Sequence, residues 1–241
     1  FYLVGEVYNY VISHGKSFDF GDRKVNYFDK AFNSLINFEI KWNAKQMVAK
    51  DVFQKYDSLL NTDLQGYGVL NYMTSHDDGQ PFDKERENPY KTATMLLLTP
   101  GTSQVYYGDE SARSLTIDDT IGDATLRSMM NWEDINNLDD TKKILTHWQK
   151  LGQFRANHPA VGAGRHHVIS EDNGLTFSRV YNQDQVIIGI DMFESAINID
   201  VSSIFKDGDL LKDTYSNQEV VVKSGKVNFI SEFSIVLLEK I

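Results

Sequence analysis

Acidic residues and one histidine follow three apolar runs of this sequence, each at the point where the run ends. They are Glu6 after residues 1–5, His76, Asp77 and Asp78 after residues 69–74, and Asp109 and Glu110 after residues 104–108. Strand side chains alternate between two faces, so His76 and Asp77 serve one pocket only if the chain turns there. Gly79 and Pro81 favour such a turn. Carboxylate and imidazole groups that meet in a pocket can exchange protons and hold polar ligands.

Strand-like and helix-like patterns alternate in the first part of the chain. Strands are predicted for residues 1–7, 32–38, 69–74 and 103–107, and helical spacing covers residues 44–60, 89–98 and 141–157. Residues 9–26 and 108–138 are predicted to be loops. Parallel strands of an α/β barrel present their functional side chains at one face, the carboxyl end. A single acid after a strand is more often a helix cap or a solvated charge, but three such runs favour a shared site.

The character of the sequence changes after Pro159. Eight short β-branched runs follow at intervals of about eight to twelve residues, which is typical of an antiparallel sandwich. We therefore predict two domains, residues 1–159 as half of a (β/α)8 barrel and residues 160–241 as a β-sandwich. A closed barrel needs about 250 residues by itself, so the chain is too short for a whole barrel and a sandwich.

The amino-acid composition limits the classes of partner that the protein is expected to bind. The 241 residues carry a net charge of −10, which disfavours nucleic acid and anionic membranes as partners. The absence of cysteine excludes disulfides and thiolate metal sites. No run has the length of a membrane span. Twelve Tyr, fourteen Phe and three Trp would suit the stacking of sugar rings, although most aromatic residues of any protein lie in its core.

Several of these segments, taken in order, resemble the C-terminal half of the α-amylase family, glycoside hydrolase family 13. Gly5-Glu6-Val7 is similar to the motif of the fifth barrel strand, Ser75-His76-Asp77 to that of the seventh, and residues 100–110 to that of the eighth. Residues 127–132 and the predicted sandwich resemble the segments that follow the eighth barrel strand in this family. The resemblance implies an α/β fold, strands 5–8 of a TIM (β/α)8 barrel followed by an all-β antiparallel domain C.

The resemblance also implies roles for particular residues. Glu6 would be the general acid/base, Asp77 the transition-state stabiliser and His76 a contact to the sugar, while Tyr8 and Asn9 would line the acceptor side. The implied reaction is retaining hydrolysis of α-1,4-glucosidic bonds in starch or maltooligosaccharides. The family's nucleophile, an Asp in a Gly-x-Arg-x-Asp motif, has no match here and by family order would precede residue 1. We therefore expect a parent enzyme whose N-terminal half is missing, and an isolated chain with little or no activity.

The sequence is also compatible with other functions. A non-catalytic glucan-binding relative, or an α-1,6-glucosidase or transglycosylase on the same scaffold, would share these features. A metal site at His76, Asp77 and Asp78 is disfavoured, because three adjacent residues converge poorly on one ion. We therefore expect no metal or cofactor in this chain. Calcium is possible in the parent enzyme. The expected partners are an α-glucan and either the missing half-barrel or a second copy of the chain. The expected location is extracellular, cell-surface or periplasmic.

Overall fold

The computed structural model describes all of residues 1–241 and divides into two compact units, Phe1–Gln149 and Lys150–Ile241. The division falls within one long helix, α5 (Asp139–Asn157). The domain boundary predicted after residue 159 lies further along the chain, beyond the end of that helix.

The first unit contains six strands and four further helices. The strands are β1 (Val4–Gly5), β2 (Ser17–Asp19), β3 (Lys24–Asn26), β4 (Ser34–Asn37), β5 (Gly68–Tyr72) and β6 (Thr102–Gln104). The helices are α1 (Ile40–Gln46), α2 (Ala49–Asn61), α3 (Pro89–Leu98) and α4 (Trp132–Asn137). Short 3₁₀ turns occur at Ile12–His14, Asp109–Ser111 and Gly122–Leu126.

Four of these strands form a parallel sheet in the order β1-β4-β5-β6. The register pairs Val4 with Ser34, Leu35 with Val69 and Asn71 with Ser103. Parallel pairing brings the carboxyl ends of neighbouring strands to the same edge of the sheet. This arrangement confirms the predicted half-barrel, because all four predicted strands are present and each leads into its loop at that edge.

Two buried asparagines connect the middle strands through their side chains. Asn37 Nδ2 donates to Asn71 Oδ1 over 2.9 Å, and Asn71 Nδ2 donates to the carbonyl of Pro100 over 3.0 Å. Asn37 Oδ1 in turn accepts the backbone N–H of Ile12. Both side chains are fully buried, so each amide must be paired to avoid a desolvation cost of about 1–3 kcal/mol.

The helix predicted for residues 44–60 was wrong in one respect, because the structure divides it into α1 and α2. The backbone is extended at Met47 and Val48, which separate the two helices. Val52, Phe53 and Tyr56 of α2 are fully buried at helical spacing, as the pattern indicated. Those three positions produce the periodicity whether or not the helix continues towards residue 44, so the sequence pattern could not reveal the break.

The loop predicted for residues 9–26 was also wrong, because it contains the antiparallel hairpin β2–β3. Gly21 turns the chain between the strands at φ +88° and donates its N–H to the Asp19 carboxylate over 2.8 Å. The strands have three residues each, which is too short for alternation to show in the sequence.

The second unit contains eight strands and the short helix α6 (Pro159–Ala163). The strands are β7 (Arg165–Ser170), β8 (Leu175–Tyr181), β9 (Asp184–Ile190), β10 (Ala196–Asp200), β11 (Leu210–Asp213), β12 (Gln218–Val221), β13 (Lys226–Ile230) and β14 (Val236–Lys240). They form an antiparallel sheet in the order β12-β11-β14-β9-β8-β7 and a second antiparallel pair, β10-β13. Buried residues of both sheets, including Ile187, Ile197, Leu211 and Val227, share one core. All eight predicted strands are present, and the all-β domain is confirmed.

Candidate active site

Segments that follow three parallel strands line one cavity of about 460 Å³. Residues 6–9 follow β1, residues 38–42 follow β4 and open α1, and residues 77–80 lie shortly after β5. Ligand sites of parallel α/β sheets occur at the carboxyl ends of the strands, because the loops there converge. The cavity is therefore the candidate active site of this chain.

The structure brings the predicted site residues together. Glu6, Tyr8, Asn9 and Asp77 all line the large cavity. A smaller cavity of about 40 Å³ is lined by Glu6 and Asp77 again, and also by His76. Glu6 and Asp77, which the sequence places on different strands, thus border the same space.

Asp77 is oriented by its own turn. Ser75 Oγ donates to Asp77 Oδ1 over 2.9 Å, and His76 Nε2 lies 3.6 Å from Asp77 Oδ2. The side chain of Asp77 is 44 % exposed and that of His76 is 62 % exposed, so both can reach a ligand. Carboxylate oxygens and an imidazole in this position suit hydrogen bonding to hydroxyl groups.

Asp78 has different surroundings from its neighbour Asp77. Its carboxylate accepts hydrogen bonds from Lys41 Nζ and, over 2.6 Å, from the Tyr72 hydroxyl. Partial burial works to raise the pKa of Asp78, but the hydrogen bonds from Lys41 and Tyr72 outweigh it and hold this pKa below its usual value. Burial and the hydrogen bond to Asp78 raise the pKa of the Tyr72 hydroxyl, so Tyr72 remains a neutral donor.

Aromatic side chains form part of the wall of the large cavity. Tyr8 packs edge-on against Phe38 with ring centroids 5.8 Å apart, and Lys41 Nζ lies 4.9 Å from the centroid of the Trp42 ring. Aromatic faces beside polar groups suit the apolar and polar sides of a sugar ring. The sequence reasoning missed Phe38, Lys41 and Trp42. Their position in the sequence could have indicated them, because Phe38 ends the predicted strand 32–38 and Lys41 and Trp42 follow it closely.

The carboxylates of the third predicted run, Asp109 and Glu110, do not line either cavity. The Asp109 side chain is fully buried, and Arg86 Nη2 lies 2.8 Å from its Oδ1. Burial raises the pKa of Asp109 to about 6, against the opposing effect of the Arg86 charge. Glu110 Oε2 accepts the backbone N–H of Gly108 over 2.8 Å. The pattern of this run correctly marked a strand end, but its acids have structural contacts.

Comparisons with known proteins show which fold the chain shares. No protein-family model matches the chain. It is 35 % identical over 177 residues to the periplasmic alpha-amylase of Escherichia coli K12, an alignment that covers 72 % of this chain and 25 % of that protein. The alpha-amylase of Geobacillus thermoleovorans complexed with acarbose matches with a TM-score of 0.67, 18 % identity, 99 % of this chain and 53 % of that one. The structure of AmyP in complex with maltose matches with a TM-score of 0.65, 15 % identity, 98 % of this chain and 55 % of that one.

The parallel sheet of the first unit and the antiparallel sheets of the second match the fold of solved alpha-amylases, a half-barrel followed by an all-β domain. The resemblance to the α-amylase family, glycoside hydrolase family 13, that the motifs of the chain indicate is confirmed. The chain spans about a quarter of the length of the curated relative and about half the length of the solved structures.

Proposed function

We propose that this chain supplies the acid/base half of the active site of a retaining α-glucan hydrolase that cleaves α-1,4-glucosidic bonds. The observation that carries the proposal is that Glu6 and Asp77 line the same two cavities. The relative from Escherichia coli is an alpha-amylase, and solved structures of the same fold contain maltose or acarbose, which supports an α-glucan oligosaccharide as the ligand.

In this mechanism Glu6 protonates the glycosidic oxygen as the bond to the anomeric carbon breaks. Another carboxylate attacks that carbon, and a covalent glycosyl-enzyme forms. Glu6, now ionised, takes a proton from a water molecule that releases the sugar, and both carboxylates return to their starting states. The nucleophile is proposed to lie in a segment before residue 1 of the parent protein, since no residue of this chain matches the family motif for it.

Asp77 and His76 act on the sugar that carries the developing charge. The Asp77 carboxylate offsets the positive charge of an oxocarbenium-like transition state and accepts hydrogen bonds from hydroxyl groups. His76, exposed beside it, donates to a hydroxyl of the same sugar. Tyr8 and Asn9 line the large cavity together with Glu6, and we assign them to the leaving sugar.

We propose a calcium ion only for the parent enzyme and not for this chain. Residues 1–241 contain no group of three or more histidine or acidic side chains arranged to hold a metal ion.

The partner of the first unit is proposed to be a missing N-terminal half-barrel or a second copy of the chain. β1 and β6 are the edge strands of the parallel sheet, and exposed strand edges readily pair with further strands. Beside β1, Phe1, Tyr2 and Leu3 are exposed apolar or aromatic side chains. We propose an extracellular or periplasmic location, in line with the periplasmic relative. None of the helices combines the length and apolar character needed to cross a bilayer.

The test compares the chain with the complete protein that includes the segment encoded before residue 1. On a chromogenic maltooligosaccharide we expect turnover by the complete protein, its loss in Glu6→Gln, and little or no turnover by the isolated chain. Glu85→Gln is the control, since Glu85 is also exposed but lines neither cavity. Turnover by the isolated chain that Glu6→Gln abolishes would contradict a missing nucleophile. Binding of maltotriose by the complete protein without turnover would identify a glucan-binding protein instead.

A further inference from the structure

Lys41 is a buried cation beside the carboxylates of the candidate site. Its side chain is only 4 % exposed, and it lines the large cavity together with Glu6 and Asp77. Lysine is rarely buried unless its charge is paired, and the partner of Lys41 is the carboxylate of Asp78. Asp78 directly follows Asp77 in the sequence, so the acidic member of the ion pair lies in the same turn as the proposed transition-state stabiliser.

Asp78 connects three elements through one carboxylate. It accepts hydrogen bonds from Lys41 on α1, from the hydroxyl of Tyr72 at the end of β5, and over 3.0 Å from the backbone N–H of Gln80. The Asp78 side chain is only 14 % exposed. Hydrogen bonds between ionised groups are about twice as strong as neutral ones, and weak screening in a partly buried site preserves them.

Ser75 also supports the turn from within. Its hydroxyl donates to Asp77 Oδ1 over 2.9 Å and accepts the backbone N–H of Asp78 over 3.1 Å. The partner of the Asp77 carboxylate in this network is therefore a residue of the turn itself. Consequently the orientation of Asp77 follows the orientation of residues 75–80, and the Asp78 carboxylate connects those residues to α1 and β5.

We propose that Lys41 is a positioning residue of the active site. By holding the Asp78 carboxylate it fixes the turn 75–80, and through that turn it sets the direction in which Asp77 and His76 face the sugar. The effect on catalysis rests on the function proposed above for Asp77, whereas the effect on the turn does not. The rival explanation is that Lys41 donates directly to the sugar, since it lines the cavity.

Amide hydrogen exchange on the isolated chain tests the structural step without any assay of activity. The amides of Asp78 and Gln80 donate within the turn, so we expect them to exchange at least about tenfold faster in Lys41→Met and in Asp78→Asn. Lys84→Met is the matched control, because Lys84 is exposed and lines neither cavity. If Lys41→Met does not fold, Asp78→Asn provides the test, since it removes the charge that Lys41 holds. Unchanged exchange of these amides in a folded variant would overturn the proposal.

Kinetics of the complete protein test the catalytic step. We expect Lys41→Met to lower kcat at least about tenfold with little change in KM, because Asp77 acts mainly in the transition state. Lys41→Arg should restore part of the loss. Lys41→Met combined with Asp78→Asn should lose no more than either single variant, because both break one contact. A loss confined to KM, or a combined loss equal to the product of the two, would overturn positioning in favour of direct sugar contact. A wild type without turnover contradicts the proposed function, and the exchange experiment then still decides the role of Lys41.

Discussion

Arg127 donates a hydrogen bond from Nε to the carbonyl oxygen of His76 over 3.0 Å, although the two residues are 51 positions apart. This bond ties the long connection after β6 to the turn that carries His76 and Asp77. The turn is thus held on one side by Lys41 through Asp78 and on the other by Arg127 through the backbone.

We expect Arg127→Met to lower kcat of the complete protein, because the turn that Arg127 anchors carries Asp77. Losing one hydrogen bond to a charged donor costs about 1.5–3 kcal/mol, part of which water replaces at this exposed position, so kcat should fall roughly three- to tenfold. Steady-state kinetics on maltotriose measure this. Arg23→Met is the control, since Arg23 lies over the Phe20 ring on the hairpin, in a separate segment. Equal effects of both substitutions would contradict an anchoring role.

Glu6→Gln should lower kcat for maltooligosaccharides by about 10²–10⁴-fold, because the leaving oxygen then departs without a proton. Substrates whose leaving group has a low pKa need no protonation in the bond-breaking step. The loss for an activated aryl glycoside in that step should therefore be much smaller, and pre-steady-state release of the aryl group measures it. Equal losses in that step for both substrates would show that Glu6 is not the acid.

Asn71→Ala should destabilise the first unit by about 1–3 kcal/mol. It removes one of the acceptors of the buried Asn37 Nδ2 and the side-chain donor to the Pro100 carbonyl. Denaturant unfolding followed by tryptophan fluorescence measures the change in free energy. The control is Asn137→Ala at the exposed end of α4, which should change stability by less than about 0.5 kcal/mol. A similar small effect at Asn71 would mean that water satisfies those groups.

Asp109 should make stability fall as pH rises between about 4 and 6. Burial raises the pKa of its carboxyl from 3.8 to about 6, so the folded state binds this proton more tightly than the unfolded state. The resulting stabilisation is fully present below 3.8 and is lost as pH rises through 6. Asp109→Asn removes this contribution. The difference in unfolding free energy between the variant and wild type should therefore change across that window, by the order of 1–3 kcal/mol, and a constant difference would contradict it.

Gly108→Ala should destabilise the loop after β6 for two reasons, an unfavourable backbone conformation and a steric clash of the added Cβ. Gly108 has φ +85°, and an added Cβ would lie 2.6 Å from the Cβ of Arg113. Gly122 also has positive φ, at +63°, but a Cβ there would meet nothing within 4 Å. Gly122→Ala therefore measures the cost of the left-handed backbone alone, of about 1 kcal/mol. Thermal unfolding should show a larger loss for Gly108→Ala, and equal losses would mean that Arg113 moves aside.

Much of the fold followed from sequence patterns because they report local periodicity. The spacing of Val52, Phe53 and Tyr56 indicated the buried face of α2, and the alternation of β-branched runs predicted every strand of the second unit. Breaks and short elements escaped detection, as at Met47 and in the hairpin β2–β3, because a few residues carry too little periodic signal.

The sequence by itself determined that Glu6 and Asp77 follow strands, because strand and turn propensities act over a few residues. It also showed the order of motifs that identifies the family. Only the tertiary structure decided that Glu6 and Asp77 border a cavity while Asp109 is buried against Arg86. It alone revealed that Lys41 supports the turn through Asp78. The physical reason is that the surroundings of a charged group, which set its pKa and its freedom to act, are assembled from residues distant in the chain.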